Sequence, residues 1–318
     1  MRTLIFGAGP LGSLYAHILH EEGKDVTILA RKQRYEFIQE NGIVLFNEHT
    51  GERMASTVRV VDRIAEDDSY DLVVVLIRKN KIMPVLQVLS RSHNIRNILF
   101  MGNNVLGFDS YFEKLPKERV LFGFPGAGGS LQEQIVHFVD RAKPNEKRRS
   151  ITIGEPEGNT NARTKQIESF FESSGVPVDI VGDIDGWLKY HAAFILPIAY
   201  SLYKHDCDNY ALAGDDKGIR QFIRACKEGG RVLRELGLRK RQPFRYNLFY
   251  WLPESFNAKI FKELFNSKFA EIGFALHARE GIDEVLELTE DFKTLIDRSA
   301  VSTPAINELQ GYMRSFAL

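Results

Sequence analysis

Thr3-Leu4-Ile5-Phe6-Gly7-Ala8-Gly9-Pro10-Leu11-Gly12-Ser13 opens the chain, and its reading decides the fold. Four apolar or β-branched residues run into a G-x-G-x-x-G turn, and an amphipathic stretch reaching Glu22 follows. A strand entering such a turn and a helix leaving it is the context that dinucleotide-binding turns require. Each glycine has a physical task. Gly7 permits the tight turn, Gly9 lets backbone approach a pyrophosphate, and Gly12 lets the helix lie close to the strand. Pro10 fits the first helical turn, where its missing N–H costs little. The free amides and partial positive charge of that helix end suit phosphate. Gly7, Ala8, Gly9, Pro10, Leu11 and Gly12 are therefore the first candidate cofactor-binding residues. A glycine-rich turn with no ligand is the alternative, and the strand–turn–helix context weighs against it.

The same alternation continues along the chain. Asp25 to Ala30 reads as a second strand. Asp71 to Ile77 is almost continuously apolar, as a parallel strand buried on both faces should be. Asn97 to Met101 and Arg119 to Phe122 read similarly. Helical stretches between them imply right-handed βαβ units and a parallel sheet. Gly42 to Phe46 and Met54 to Val61 flank a polar turn and predict an inserted hairpin. Ile135 to Val139 and Ser150 to Ile153 are expected to extend the far edge of the sheet in an antiparallel sense, with Asn145 to Arg149 a solvated turn. A helix near 161–173 and a strand at Val176 to Val181 close this half. After Gly182 the period changes. Helical patterns follow at Trp187 to Lys204, Gly218 to Leu236, Asn257 to Leu276 and Asp283 to Arg298, and strand-like alternation nearly disappears. The expected fold class is α/β plus all-α. A Rossmann-type, doubly wound parallel sheet occupies 1–183, and an all-helical substrate and dimerisation domain occupies 184–318.

Composition narrows the function classes. A length of 318 residues suits two domains. Hydrophobic residues at 44% and charged residues at 26% exclude a disordered chain, a collagen and a small disulfide scaffold. Lys plus Arg and Asp plus Glu are 42 each, so the net charge is zero. Nothing in that balance favours nucleic acid or an anionic membrane. Cys207 and Cys226 are the only cysteines, which points to a reducing, cytoplasmic setting. The first residues lack the leader pattern of a targeting signal. The longest apolar stretch, Ala192 to Tyr203, is interrupted by Pro197 and Ser201 and is too short to span a bilayer. No histidine has metal-ligand spacing, and His205-Asp206-Cys207-Asp208 reads as a helix end and loop.

The end of the second strand selects the cofactor. NAD enzymes usually place an acid there for the ribose hydroxyls. Here the strand ends Leu29-Ala30-Arg31-Lys32-Gln33-Arg34, with no acid. An arginine fork with a neighbouring lysine suits a 2′-phosphate. Arg78 and Lys79 follow the Asp71–Ile77 strand, whose carboxyl end should face the same crevice. Arg31, Lys32 and Arg78 therefore join the candidates, and the expected cofactor is NADP(H).

Gly7-Ala8-Gly9-Pro10-Leu11-Gly12, Arg31, Arg78, Asn103-Asn104 and Trp187-Leu188-Lys189 stand in the order and rough spacing of the ketopantoate reductases (2-dehydropantoate 2-reductases), and the chain resembles that family as a divergent member. The resemblance spans nearly the whole chain and is stronger in the first half. It implies a Rossmann domain followed by a helical domain like that of 6-phosphogluconate dehydrogenase, with NADPH in the cleft between them reducing a 2-keto acid. The family's 2′-phosphate arginine falls on Arg31 and its lysine after the fourth strand on Arg78. Its active-site asparagine falls on Asn103, with Asn104 competing because one extra residue precedes Gly107. Its catalytic lysine falls on Lys189. The chemistry is sensible by itself. Hydride delivery to a ketone builds negative charge on oxygen, and a positioned donor must neutralise it. A lysine partly removed from water can serve as that general acid. An asparagine amide can orient a carbonyl or ribose without adding charge.

The sequence also departs from the family. Four and eight residues beyond Lys189, where the family carries asparagines, stand Ala193 and Pro197. The family's substrate serine and glutamate have no clear match. Ser267, Lys268 and Glu284 are the expected replacements, with Glu287 an alternative to Glu284. Lost donors disfavour a polyhydroxylated acid. The expected activity is NADPH-dependent reduction of a 2-keto acid or related carbonyl. Two alternatives stay open: oxidoreduction of an imine, amino acid or hydroxy acid on the same scaffold, and a non-catalytic NADP(H) redox sensor. His191 lies two residues from Lys189 and points elsewhere on the helix. Phe124 to Ser130 is a glycine loop able to approach nicotinamide or substrate. Phe244 to Leu252, preceded by Arg239-Lys240-Arg241, reads as a core face or a subunit contact, and a homodimer is expected.

Overall fold

The computed structural model describes every residue except Ala142, Pro144, Arg241, Gln242, Ala317 and Leu318, and the backbone alone of Arg314 and Ser315. The chain divides into two units. One comprises 1–102 and 107–184, the other 103–106 and 185–318.

The first unit is built on the strands β1 (Thr3–Phe6), β2 (Val26–Leu29), β3 (Ile43–Asn47), β4 (Arg53–Ser56), β5 (Arg59–Val61), β6 (Tyr70–Val75), β7 (Ile95–Met101), β8 (Val120–Phe124), β9 (Gly128–Gln132), β10 (Ile135–Val139), β11 (Ile151–Gly154) and β12 (Val178–Ile180). Its helices are α1 (Pro10–Glu21), α2 (Gln33–Asn41), α3 (Ile82–Arg91), the single turn α4 (Asp109–Phe112) and α5 (Ala162–Glu172). Eight strands form one sheet in the order β12-β11-β8-β7-β6-β1-β2-β5. The run β5-β2-β1-β6-β7-β8 is parallel throughout, which is the doubly wound arrangement. The chain leaves β1 in one direction and returns on its other side at β6. The carboxyl ends of β1 and β6 thus form the topological switch point, where ligands bind in such sheets. All four residues of β1 are buried, as a central strand requires.

Two edge expectations need correction. Only Ile151–Gly154 adds an antiparallel strand to the large sheet, against β8. Ile135–Val139 instead lies in a second, four-stranded sheet of order β4-β3-β10-β9. It pairs parallel to β3 and antiparallel to β9. The inserted hairpin is real over β3 and β4, but its second arm stops at Ser56. Val58 is buried, and Arg59–Val61 crosses to pair with Thr27–Leu29 at the edge of the large sheet.

Among its described residues the second unit has helices and no strand: α6 (Ile184–Tyr203), α7 (Asn209–Gly214), α8 (Asp216–Glu235), α9 (Leu248–Trp251), α10 (Glu254–Phe265), α11 (Lys268–Ala270), α12 (Leu276–Glu280), α13 (Ile282–Asp297) and α14 (Pro304–Phe316), with 3-10 and π turns and short loops between them. Its core joins Leu196 and Leu202 of α6, Phe222 and Ile223 of α8, Leu288 and Phe292 of α13 and Leu309 of α14. The buried carboxylate of Glu228 accepts from the backbone N–H of Ala305 (3.1 Å) and Ile306 (2.9 Å), which caps the start of α14. The single long helix expected across Asn257–Leu276 is broken. Ser267 adopts extended backbone and its hydroxyl accepts from Ala270 N–H, restarting the helix; a serine that bonds nearby backbone competes with the helical ladder. A π turn at Glu271–Ala275 follows. The aromatic stretch is divided between roles. Tyr246 and Phe249 are buried, while Phe244 and Trp251 remain exposed. Arg241 of the preceding basic group lies outside the described residues. Among the described residues, no helix is long and apolar enough to cross a membrane.

His17 of α1 ties the two sheets together, its Nδ1 standing 3.0 Å from Ser56 Oγ of β4. Burial holds the imidazole below its ordinary 6.5. The unfolded chain therefore binds the proton more readily, and stability drains away as pH falls from 6.5 towards the lowered folded value. His17→Gln keeps a polar partner for Ser56 but cannot titrate. Between about pH 7 and about pH 5 its melting temperature should fall less than that of the unaltered protein. An equal fall in both would show that His17 contributes no acid sensitivity.

Candidate functional site

In the first unit close backbone contacts require glycine at two positions of the turn, Gly7 and Gly12. Gly7 has φ +118°, and a Cβ on it would stand 2.7 Å from the Leu76 carbonyl. A Cβ on Gly12 would stand 1.8 Å from the Gly7 carbonyl oxygen. Gly9 is different, since a Cβ there would meet nothing within 4 Å. Gly9 is the N-cap of α1, Pro10 follows in the first turn, and no side chain caps this end. An open, uncapped helix N-terminus beside a switch point fits a pyrophosphate.

The cations around this turn have distinct settings. Arg31 is exposed and lies over the Phe6 ring, 6.0 Å from its centroid. Lys32 is exposed and has φ +53° at the entry to α2. Arg78 is half-buried just beyond β6, and Lys79 begins a 3-10 turn. Arg34, which sequence reasoning passed over, is turned inward. It donates to the Ala8 carbonyl at 3.0 Å, the Ser13 hydroxyl at 2.9 Å and the Gln134 carbonyl at 2.6 Å. Nothing in the pattern Arg-Lys-Gln-Arg separates the exposed arginine from the inward one.

The helical unit gathers a second set. Residues 103–106 pack with it, although they follow β7 directly. The Asn103 amide donates to Glu284 Oε1 at 3.1 Å, and Glu284 is buried. His277 Nε2 stands 4.0 Å from the other carboxylate oxygen. These three polar groups share a shallow, narrow pocket whose apolar wall includes Ile195, Ala199 and Phe274. Phe274 and His277 reach it from the π turn and the helix after it. Asn104 is buried beside Asn103. Lys189 sits on α6 with its ammonium on the Asp185 carboxylate, one helical turn earlier. Its side chain is 15% exposed. The rings of Trp187 and His191 stack at 5.3 Å and 4°.

Ser267 and Lys268 make local contacts. The Ser267 hydroxyl donates to the Leu264 carbonyl at 2.5 Å while capping α11. Lys268 Nζ pairs with Glu271 Oε1 at 2.9 Å. The structure thus brings Asn103 and Glu284 together and gives Ser267 a capping task. Ala193 faces the domain interior, because a Cβ on Gly229 of α8 would lie 3.1 Å from its own Cβ. Pro197 lines a smaller pocket with Tyr200, Thr289 and Phe292. Among the described residues, no group of three or more His, Cys, Asp or Glu side chains is placed to hold a metal.

The contrast between Gly9 and Gly12 yields a test. Gly12→Ala should destabilise the first unit by about 1–3 kcal/mol through overpacking, read by thermal or urea unfolding. Gly9→Ala should leave unfolding unchanged and weaken dinucleotide binding. Equal stability losses in the two variants would contradict this assignment.

Residues 3–157 match the family model described as ketopantoate reductase PanE/ApbA. An uncharacterized oxidoreductase, YkpB, of Bacillus subtilis (strain 168) is 26% identical over 194 residues, which span 60% of this chain and 61% of that protein's length. Two solved structures are similar over almost the whole chain. The 2-dehydropantoate 2-reductase of Geobacter metallireducens GS-15 has a TM-score of 0.77 and 17% identity, with 99% of each chain covered. D-mandelate dehydrogenase in complex with NADH and anilino(oxo)acetate has a TM-score of 0.79 and 16% identity, with 99% of this chain and 98% of that one covered. These likenesses share the two-part fold described above. The glycine turn, the strand order and the match over residues 3–157 agree in likening the first unit to the ketopantoate reductase family.

Proposed function

We propose that this protein is an oxidoreductase that uses NADPH to reduce a 2-keto acid or a related carbonyl. The observation that carries the reading is Lys189, an ammonium mostly withdrawn from water and held by one carboxylate, Asp185. Such a group is a positioned proton donor. The glycine turn supplies the other half of the argument, with an open face at Gly9 and an uncapped helix end for the pyrophosphate. Arg31 and Lys32, exposed where an NAD enzyme carries an acid, are the groups for a 2′-phosphate, and Arg78 adds charge at the end of β6. When bound, the nicotinamide supplies a hydride to the carbonyl carbon. Lys189 gives a proton to the carbonyl oxygen as negative charge develops there, and Asp185 holds the amine in place. Asn103 orients the reacting group through its amide, itself fixed by Glu284. The apolar wall of Ile195, Ala199 and Phe274 favours a substrate with an apolar side chain over a polyhydroxylated one.

One observation favours the second reading, oxidoreduction at an imine, amino acid or hydroxy acid. The Glu284 carboxylate is an acceptor, and Asn103 Oδ1 is buried without a hydrogen-bond partner among the described residues. Both suit a substrate that brings N–H or O–H donors. A panel of 2-keto acids, imines and hydroxy acids, followed at the nicotinamide absorbance, separates the two.

Two variants test the leading assignment. Lys189→Ala should lower kcat by about 10²–10⁴ and leave the NADPH Kd unchanged; near-full turnover would remove Lys189 from the chemistry. Arg31→Ala should weaken NADPH by roughly ten- to a hundredfold while sparing NADH. Loss of both cofactors alike would assign the 2′-phosphate to other residues.

A further inference from the structure

We propose that Arg34 is a positioning residue for the glycine turn, setting the direction of the Gly9 amide that receives the pyrophosphate, and is not a ligand of the 2′-phosphate. The inference rests on the cofactor reading above. By sequence Arg34 is one of three cations in four residues, all equally suited to a phosphate. By structure its guanidinium is already committed. Nε donates to the Ala8 carbonyl at 3.0 Å, Nη2 to Ser13 Oγ at 2.9 Å and Nη1 to the Gln134 carbonyl at 2.6 Å. Ser13, fully buried, closes the set by donating its own hydroxyl to the Ala8 carbonyl at 3.2 Å. Two donors therefore hold one carbonyl oxygen of the turn.

The consequence follows from peptide geometry. In a trans peptide the carbonyl and the next N–H point in opposite directions. Anchoring the Ala8 carbonyl on the inner side aims the Gly9 N–H outward. Gly9 caps the positive end of α1, and a Cβ on it would meet nothing within 4 Å among the described residues, so the anchored peptide borders open space. Without the anchor, this peptide is free to rotate, and the amide loses its fixed direction. Burial pulls the Arg34 guanidinium down to about 10, so it stays charged at neutral pH. Its charge then lies behind the turn, where it adds to the field of the helix end.

The second sheet takes part in the device. Gln134 lies in the β9–β10 turn, where Glu133 and Gln134 both have left-handed backbone, φ +47° and +66°. Non-glycine residues adopt that conformation at a cost, and here it presents the Gln134 carbonyl to Arg34. β9 also presses on the turn, since a Cβ on Gly129 would stand 3.1 Å from Pro10 Cβ. Lys32, with φ +53° just before α2, starts the helix that carries Arg34 in its first turn.

The test uses the full-length protein and binding alone. NADPH, NADH, ADP-ribose and 2′-AMP are titrated by calorimetry or fluorescence against the unaltered protein, Arg34→Ala and Arg34→Lys. Arg34→Ala should weaken NADPH, NADH and ADP-ribose by a common factor, roughly tenfold. The NADPH-to-NADH ratio should not move, and 2′-AMP, which has no pyrophosphate, should bind as before. Arg34→Lys should recover part of the loss, because an ammonium reaches fewer of the three acceptors. Should Arg34→Ala fail to fold, Ser13→Ala removes one of the two donors on the Ala8 carbonyl and should show the same pattern at smaller size. A loss confined to NADPH and 2′-AMP would overturn the proposal and make Arg34 a 2′-phosphate ligand. A loss shared by all four compounds would reduce it to general destabilisation, and no change would leave it no role. If the unaltered protein binds none of the four, the cofactor reading itself fails, a result distinct from every outcome in the variants.

Discussion

The approach of Gly12 to the Gly7 carbonyl is the constraint on which the first unit turns. A single added carbon would lie 1.8 Å from that oxygen, so α1 can seat itself this close to the end of β1 only without a side chain there. The seating puts the N-terminus of α1 at the carboxyl ends of β1 and β6, where the strand order reverses. Everything proposed about dinucleotide binding follows from that placement. The helix end, its open face and the cations beyond β2 and β6 would have no common target if α1 stood farther off.

A comparable constraint shapes the helical unit. Gly229 of α8 brings that helix against Ala193 of α6, so closely that an added Cβ on Gly229 would stand 3.1 Å from the Ala193 Cβ. The close crossing joins the two longest helices of the unit, 20 residues each. It also explains why a polar residue is missing four positions after Lys189. The site is packing space here, and the polar functions collect elsewhere, around Asn103, Glu284 and His277. Lys189, near the start of the same helix, escapes the crossing and finds Asp185 one turn back.

Much of this was legible in the sequence, for identifiable reasons. Continuous apolar runs such as Leu72–Val75 can only be central parallel strands, and the period change after Gly182 marks the second unit. The turn at 7–12 announces its conformation because its first and last positions tolerate only glycine. What stayed hidden depends on contacts between residues far apart in the chain. Ile135–Val139 has the pattern of any half-buried strand, and only its partners β3 and β9 assign it to a second sheet. The break near Ser267 is invisible to periodicity because apolar spacing continues through it. Arg31 and Arg34 have the same chemistry and adjacent positions. Which of them faces water is decided by acceptors at Ala8, Ser13 and Gln134.

The second sheet acquires a purpose from the same contacts. A doubly wound domain needs only its large sheet to place a glycine turn, yet a helix end that must hold a diphosphate has to resist displacement. Three contacts from the insert and its flanking loops reach α1, and a fourth reaches Arg34 of α2, which holds the turn. Ser56 of β4 meets His17 at 3.0 Å. The Gly126 N–H donates to the Tyr15 hydroxyl at 3.1 Å, a phenol that burial keeps neutral. Gly129 lies against Pro10, and Gln134 receives Arg34. Tyr15 and His17 lie midway along α1, Pro10 at its start, and Arg34 grips the turn before it. The helix is therefore held along its length on the side away from β1. Preorganised amides lose little entropy when an anion arrives, because their directions are already set. On this argument the insert serves to steady α1 and the glycine turn, although none of its residues lies in either.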